Sequence, residues 1–332
     1  MGLDSRGDVH SIQKGKSKNI RLLKTAMFWP DFVAIGSFFL ALNFVIGIVF
    51  SKRSSFSITY IIGLIGLAAF YAYLLARIQY SVALKNGALF ILKRFSVTAI
   101  DLKNSLHGQF LEIVEAIGKA AGLPKINIHI ISSLSINALA LVEPDGTPCL
   151  ALTEGLLAGY APEEVKAIVA REIAMIDQGD AFYKTLVCSL ADFLERFRHT
   201  FDYEERGEGS LSFSLSSRIR RFLSRYIKPE KEIQADAASV RLGQNPACLA
   251  RALAKAFAAN SDKGDLNHAY SPLFFVPPET AGKNQDAAGW LAGIHPPLMT
   301  RIRRLAIMAD QKTDDIIPQD VLQSLLKKLK NA

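Results

Sequence analysis

Residues 170–180 read Ala170-Arg171-Glu172-Ile173-Ala174-Met175-Ile176-Asp177-Gln178-Gly179-Asp180. With histidine at 171 and 175 the stretch would be His-Glu-x-x-His. In that helical motif residues i and i+4 share one face, so two imidazoles grip one Zn²⁺. The glutamate beside the first ligand is then placed to act as general base on the zinc-bound water. Here Glu172 stands in the base position, and the two ligand positions hold Arg171 and Met175. Arginine is permanently cationic and has no lone pair for a metal. A thioether is a poor zinc donor. The stretch keeps the frame of a metal-binding helix without its nitrogen ligands.

The frame extends to both sides. Pro162 fits the first position of the helix that carries Arg171 and Met175, and Glu163 and Glu164 fit its first turn, where the helix dipole favours acid. Upstream, a helix is expected from Asp101 as N-cap to Gly122-Leu123-Pro124. A half-buried strand follows, with Ile126, Ile128 and Ile130 alternating with Asn127 and His129. Ala138–Val142 and Pro148–Leu152 flank Glu143-Pro144-Asp145-Gly146, a hairpin turn. Downstream, residues 180–198 read as a helix in which Lys184, Asp192, Glu195, Arg196 and Arg198 rule out a membrane span. Residues 203–210 read as a loop and Leu211–Ile227 as a basic amphipathic helix. Three further helices are expected at about 229–242, 245–259 and 296–309, with a long loop at 260–290.

The first quarter of the chain differs in kind. Phe32–Phe50 and Ile58–Ala76 are each 19 residues without a charge, close to the roughly 20 that cross a hydrocarbon core. Basic residues flank them unevenly: six in 1–26 (Arg6, Lys14, Lys16, Lys18, Arg21, Lys24), two in 51–57 (Lys52, Arg53), four in 77–95 (Arg77, Lys85, Lys93, Arg94). Counted near the spans, that distribution puts both ends of a helical hairpin in the cytoplasm. The net charge of +8 suits a body held against an anionic leaflet. A nucleic-acid partner is not expected, because the basic residues are scattered and not interleaved with aromatics. The three cysteines, Cys149, Cys188 and Cys248, are too far apart for a disulfide framework or a cysteine zinc site and read as buried free thiols.

Taken in order, these signals resemble the membrane-anchored zinc endopeptidases of the HtpX and CAAX-prenyl-protease group, of the gluzincin type, over about residues 100–310 and the N-terminal hairpin. Asn137-Ala138 is similar to the edge-strand pair that precedes the active-site helix. Thr153-Glu154-Gly155-Leu156-Leu157 resembles the segment leading into that helix. Glu172 and Gly179-Asp180 match the motif's base and its trailing Gly-Asp. Glu232-Ile233-Gln234-Ala235-Asp236 resembles the Glu-x-x-Ala-Asp that supplies the third zinc ligand, and His295-Pro296-Pro297 with Arg301-Ile302 matches the closing helix. HtpX-type members usually carry a second pair of spans after the motif helix, and none is expected here.

The resemblance implies an α+β, mostly helical protein, with a transmembrane hairpin followed by a zincin-like metallopeptidase domain holding a small β-sheet. The expected divisions are a basic cytoplasmic tail (1–26), the hairpin (27–77), the domain (78–312) and a C-terminal helical tail (313–332). It implies integration in a plasma membrane, the bacterial inner membrane, with two spans and the termini and domain cytoplasmic. It places Arg171 and Met175 at the two zinc histidines, Glu172 at the general base and Glu232 at the third ligand. Asn137 and Ala138 fall at the substrate-binding edge, and Asp180, Asp236 and His295 in structural roles. One carboxylate of three ligands cannot hold zinc. The expected protein is therefore a pseudopeptidase without cofactor, binding polypeptide or a membrane-protein partner. The alternatives are an active zinc endopeptidase with substitute ligands, and a purely structural membrane subunit. Glu172 and Glu232 facing each other without a dication would repel. An Arg171–Glu232 ion pair, shared with Glu172, is the expected replacement, with Met175 filling the second imidazole's space.

Overall fold

The computed structural model describes residues 36, 37, 40, 58–123, 125–143, 145–189, 227–260, 268–277 and 295–323. The first apolar run (apart from 36, 37 and 40), the loop expected at 203–210 and the amphipathic stretch 211–227 apart from Ile227 lie outside these residues.

Helix α1 spans Ile58–Arg94, 37 residues or about 55 Å at 1.5 Å per residue. The sequence reading ended it near Ala76. It continues because Ala88, Ile91 and Leu92 enter a protein core beyond Arg77. In its first half Ile62, Ile65, Phe70 and Tyr73 are exposed, whereas Ala68, Ala72 and Ala76, spaced four apart, are buried. Gly36 stands opposite: a β-carbon added there would lie 3.4 Å from that of Ala72. Among the described residues no helix is long and apolar enough to cross a membrane. The side chains described in the apolar part of α1 run from Ile62 to Ile78 and include Arg77.

Strand β1 (Val97–Thr98) leads to α2 (Ser105–Ala120). This helix starts three residues later than expected. Asp101 is engaged in its own turn, accepting from Lys103 N at 2.9 Å, and Asn104 caps the helix by accepting from Leu106 N at 3.0 Å. Gly122, at φ +67, ends the segment as expected. Then come β2 (Asn127–Ile131), β3 (Ala138–Val142) and β4 (Pro148–Thr153). The expected turn joins the last two, with Glu143 N donating to Thr147 O at 2.9 Å. The sheet order is β1-β2-β4-β3, so β3 is an outer strand; β2 and β4 are parallel and the other pairs antiparallel.

Short helix α3 (Glu154–Gly159) is capped by Thr153, whose side chain accepts from Leu156 N. Helix α4 (Pro162–Asp177) follows, then α5 (180–189), α6 (Pro229–Arg241), α7 (Pro246–Asn260), a 3₁₀ turn His268–Leu273, α8 (Leu298–Met308) and α9 (Thr313–Ile316). The fold class is α+β, mostly helical with a small mixed sheet. Both faces of the sheet are covered. Ile130, Leu150 and Leu152 join the main core with α2, α4, α7 and α8. Ile131, Leu139, Leu141, Cys149 and Ala151 pack on α1 and the 3₁₀ turn. Ile316 and Ile317, in the stretch read as a separate tail, are buried in the main core. The three thiols are free and buried, and burial pushes Cys149 up to about 12.

Candidate functional site

Helix α4 crosses the centre of the domain and is buried along most of its length. Pro162 opens it, and the Glu164 carboxylate accepts Ala161 N at 3.2 Å and Lys255 Nζ from α7 at 2.9 Å, which fixes the entry. At its middle Arg171 and Glu232 have no exposed surface at all, and Glu172 and Asp236 are buried beside them. The Arg171 guanidinium donates Nη1 to Glu172 Oε1 and Nη2 to Glu232 Oε2. Its Nε lies 3.7 Å from Asp236 Oδ1. The expected pairing is therefore present. Met175, one turn on, packs with Ala140 of β3, Ala181 of α5 and Ala235 of α6, filling the space between these elements.

Helix α6 presents Glu232 and Asp236 four residues apart on one face. Asp236 is gripped by Arg301 of α8 in a planar fork: Nε to Oδ2 and Nη2 to Oδ1, both 2.8 Å. Arg301 Nη1 also donates to Phe275 O at 3.2 Å. The Phe275 ring lies under both guanidinium groups, 5.6 Å from Arg171 and 5.8 Å from Arg301.

Lys184, a charge that excludes a membrane span over 180–198, completes the cluster. Lys184 of α5 is buried, and its Nζ donates to Glu232 Oε1. Gly179, at φ +82, makes the reversal between α4 and α5 that a side chain would strain. Helix α5 is pinned against α1, where a β-carbon on Gly87 would stand 3.0 Å from Ser189 Oγ. It is tied to β3 by Val142 N donating to Thr185 Oγ1 at 3.3 Å. Nothing in the local sequence marks Lys184, since its partner lies 48 positions away.

His295 is buried, with Nε2 3.0 Å from Ser271 O and Nδ1 3.7 Å from Glu232 Oε1. Burial, against the pull of Glu232, holds it down to about 4. Burial would raise the Glu232 carboxyl, but Arg171 and Lys184 outweigh it and hold the group well below its usual range. Glu172 is raised, because burial outweighs Arg171 there. Asp180 is buried at the edge of the cluster, with Oδ2 3.7 Å from Lys231 Nζ.

Asn137 and Ala138, expected at the substrate-binding edge, meet the chain's own segment 274–276. Asn137 Nδ2 donates to Val276 O at 2.7 Å, Oδ1 accepts Val276 N at 3.3 Å, and Phe275 N donates to Ala138 O at 2.9 Å. An antiparallel bridge pairs Leu139 with Phe274.

Residues 103–309 match the model of peptidase family M48. The chain belongs to that family. Protease HtpX homologs from Dictyoglomus turgidum and Streptococcus uberis are 27% and 28% identical over 215 and 220 residues. Each alignment covers 60% of this chain, and 69% and 73% of those proteins. The crystal structure of S. mikatae Ste24p aligns with a TM-score of 0.42 at 18% identity, covering 86% of this chain and 65% of that one.

The residues at the centre of this M48 domain do not fit zinc. Both oxygens of Glu232 are held by cations. Arg171 offers only donors, and Met175 is packed in an apolar cluster. Among the described residues no three His, Cys, Asp or Glu side chains converge as a metal-binding group.

Proposed function

We propose that this chain is a membrane-anchored M48 homologue that does not hydrolyse peptides and serves instead to bind a polypeptide or membrane-protein partner. The observation that carries the first part is the pair of cations on the Glu232 carboxylate, at the position the family resemblance gives to zinc. With a guanidinium and an ammonium there, no Lewis acid polarises a carbonyl and no activated water forms for Glu172 to deprotonate. Glu172 serves the ion cluster. The test is zinc stoichiometry of the purified chain together with casein cleavage. Well under one zinc per chain and no phenanthroline-sensitive cleavage are expected; stoichiometric zinc with such cleavage overturns the reading.

Membrane anchoring rests on the two uncharged runs and on the unequal basic flanks. It is supported by the outward apolar side chains of α1 and by the approach of Gly36 to Ala72, the kind of small-residue contact that lets membrane helices pack closely. Partner binding rests on the family's substrate class and on β3 being an outer strand. The chain's own residues 274–276 take the Asn137 end of that edge and Thr185 of α5 takes the Val142 amide, so a partner strand has to displace one of them. A photo-crosslinking residue at Val142 tests this. Capture of polypeptide supports it, and no capture above that of a crosslinker at exposed Glu115 favours the purely structural reading instead.

A further inference from the structure

Glu232 is hydrogen-bonded by Arg171 at Oε2 and by Lys184 at Oε1, with Arg301 Nη1 3.7 Å from Oε2. The two hydrogen-bonded cations come from different helices, and only Arg171 occupies a ligand position of the zinc motif. Among the described residues the cluster holds three cations, Arg171, Lys184 and Arg301, and three carboxylates, Glu172, Glu232 and Asp236. Arg301 is forked on Asp236, and the charges of these two offset each other, although Arg301 Nη1 also comes to 3.7 Å from Glu232 Oε2 and Arg171 Nε to 3.7 Å from Asp236 Oδ1. Two carboxylates and two single positive charges remain, all buried. A zinc ion would bring the same total of two charges to the same two carboxylates. His295 stands beside them, its Nδ1 3.7 Å from Glu232 Oε1.

We propose that the dication's charge has been divided between Arg171 and Lys184, and that Lys184 is a second barrier to metal, independent of the lost histidines. This rests on the non-catalytic reading above. Removing Arg171 frees Oε2 of Glu232 but leaves the ammonium on Oε1, a buried positive charge beside the metal position with little solvent to screen it. Restoring both histidines therefore does not restore the site.

The experiment uses the full chain in detergent as wild type, as Arg171→His/Met175→His, and as that pair with Lys184→Met, which keeps length and drops charge. Zinc content and zinc affinity by competition with a chelating dye are the readouts. The triple variant is expected to hold close to one zinc per chain, and the double variant to bind roughly 100-fold more weakly. Equal affinity of the two overturns the proposal, as does a folded triple variant that binds no zinc. A measurement without zinc guards against a triple variant that does not fold. Lys184→Met alone should lower Tm by about 5 °C or more. The fully neutralised variant Arg171→Met/Glu172→Gln/Lys184→Met/Glu232→Gln should recover much of that loss. An unchanged Tm for Lys184→Met overturns the idea of a divided dication. Stoichiometric zinc in the wild type is the separate result that removes the non-catalytic reading and this proposal with it.

Discussion

Arg171 can be buried without exposed surface because Glu172, Glu232 and Asp236 surround its guanidinium. Breaking such a pair from one side leaves charge uncompensated and costs about 3–5 kcal/mol. Arg171→Ala should lose that much in denaturant unfolding. The geometry says which second change gives it back. Glu232 retains Lys184 in that variant, whereas Glu172 loses the cation it is bonded to. Adding Glu172→Gln should therefore restore more stability than adding Glu232→Gln; the reverse order would show that Lys184 does not hold Glu232. His295 gives a pH signature. It faces Glu232, Lys184 and Arg301, and its pKa falls from 6.5 to about 4. Between those values the unfolded chain takes up a proton that the folded chain refuses, so stability falls as pH falls, by roughly 3 kcal/mol across the window. Glu172, raised by burial, acts in the opposite sense. Comparing Tm at pH 7 and pH 4.5 in wild type and His295→Gln separates the two, and equal acid losses in both chains would refute the role of His295. At this scale the Arg171 pairing was legible because the zinc motif fixes which helix face the residue shares with Glu232's carboxylate. Lys184 was not, because a lysine in an amphipathic helix reads as solvated unless the tertiary partner is known.

Elements were legible where a local stop or start signal has no competitor. Pro162 with two first-turn acids gave α4, and the turn at Glu143–Thr147 gave the β3–β4 hairpin. Boundaries failed where two residues could serve. Asp101 and Asn104 both suit an N-cap, and Asp101's bond to Lys103 N decides for Asn104. The 3₁₀ turn His268–Leu273 and the bridge at Phe274 were missed inside a stretch read as loop, because Pro272 and the absence of periodicity hide an element that tertiary contacts impose. That segment depends on Asn137. Its amide makes both bonds to Val276 and accepts Ala138 N at 3.0 Å, in a site without solvent. Asn137→Ala leaves those backbone groups unsatisfied and should cost about 2–3 kcal/mol. Hydrogen exchange should show the Phe275 and Val276 amides opening well before those of β4. Retained protection at both would mean that the bridge, not the side chain, holds the segment. A tighter constraint sits at Gly155. A β-carbon there would stand 2.3 Å from Leu134 O, so Gly155→Ala must shift backbone and should destabilise by about 1–3 kcal/mol.

For the whole molecule, α1 links an apolar segment to a folded domain without a break. Of its roughly 55 Å, about 30 Å suffices for a hydrocarbon core. The remainder carries Arg77, Lys85, Lys93 and Arg94 and ends buried against the sheet through Ala88, Ile91 and Leu92. One rigid helix thus sets the distance between the proposed membrane segment and the ion cluster, by way of Gly87 and α5. The domain's architecture was legible from the order of its motifs. The proposed topology rests on charge counting alone, six basic residues before the first run, two between the runs and four after the second. That proposal puts residues 80–332 on the cytoplasmic side and only about 51–57 outside. Protease added to sealed right-side-out vesicles should leave the domain intact, and the same protease added after detergent should cut it. Digestion of the domain in sealed vesicles would invert the assignment. Moving Lys52 and Arg53 to the other side requires that their two charges outweigh the ten flanking the hairpin, so reversing the protein should take substitution of basic residues on both outer flanks, not on one.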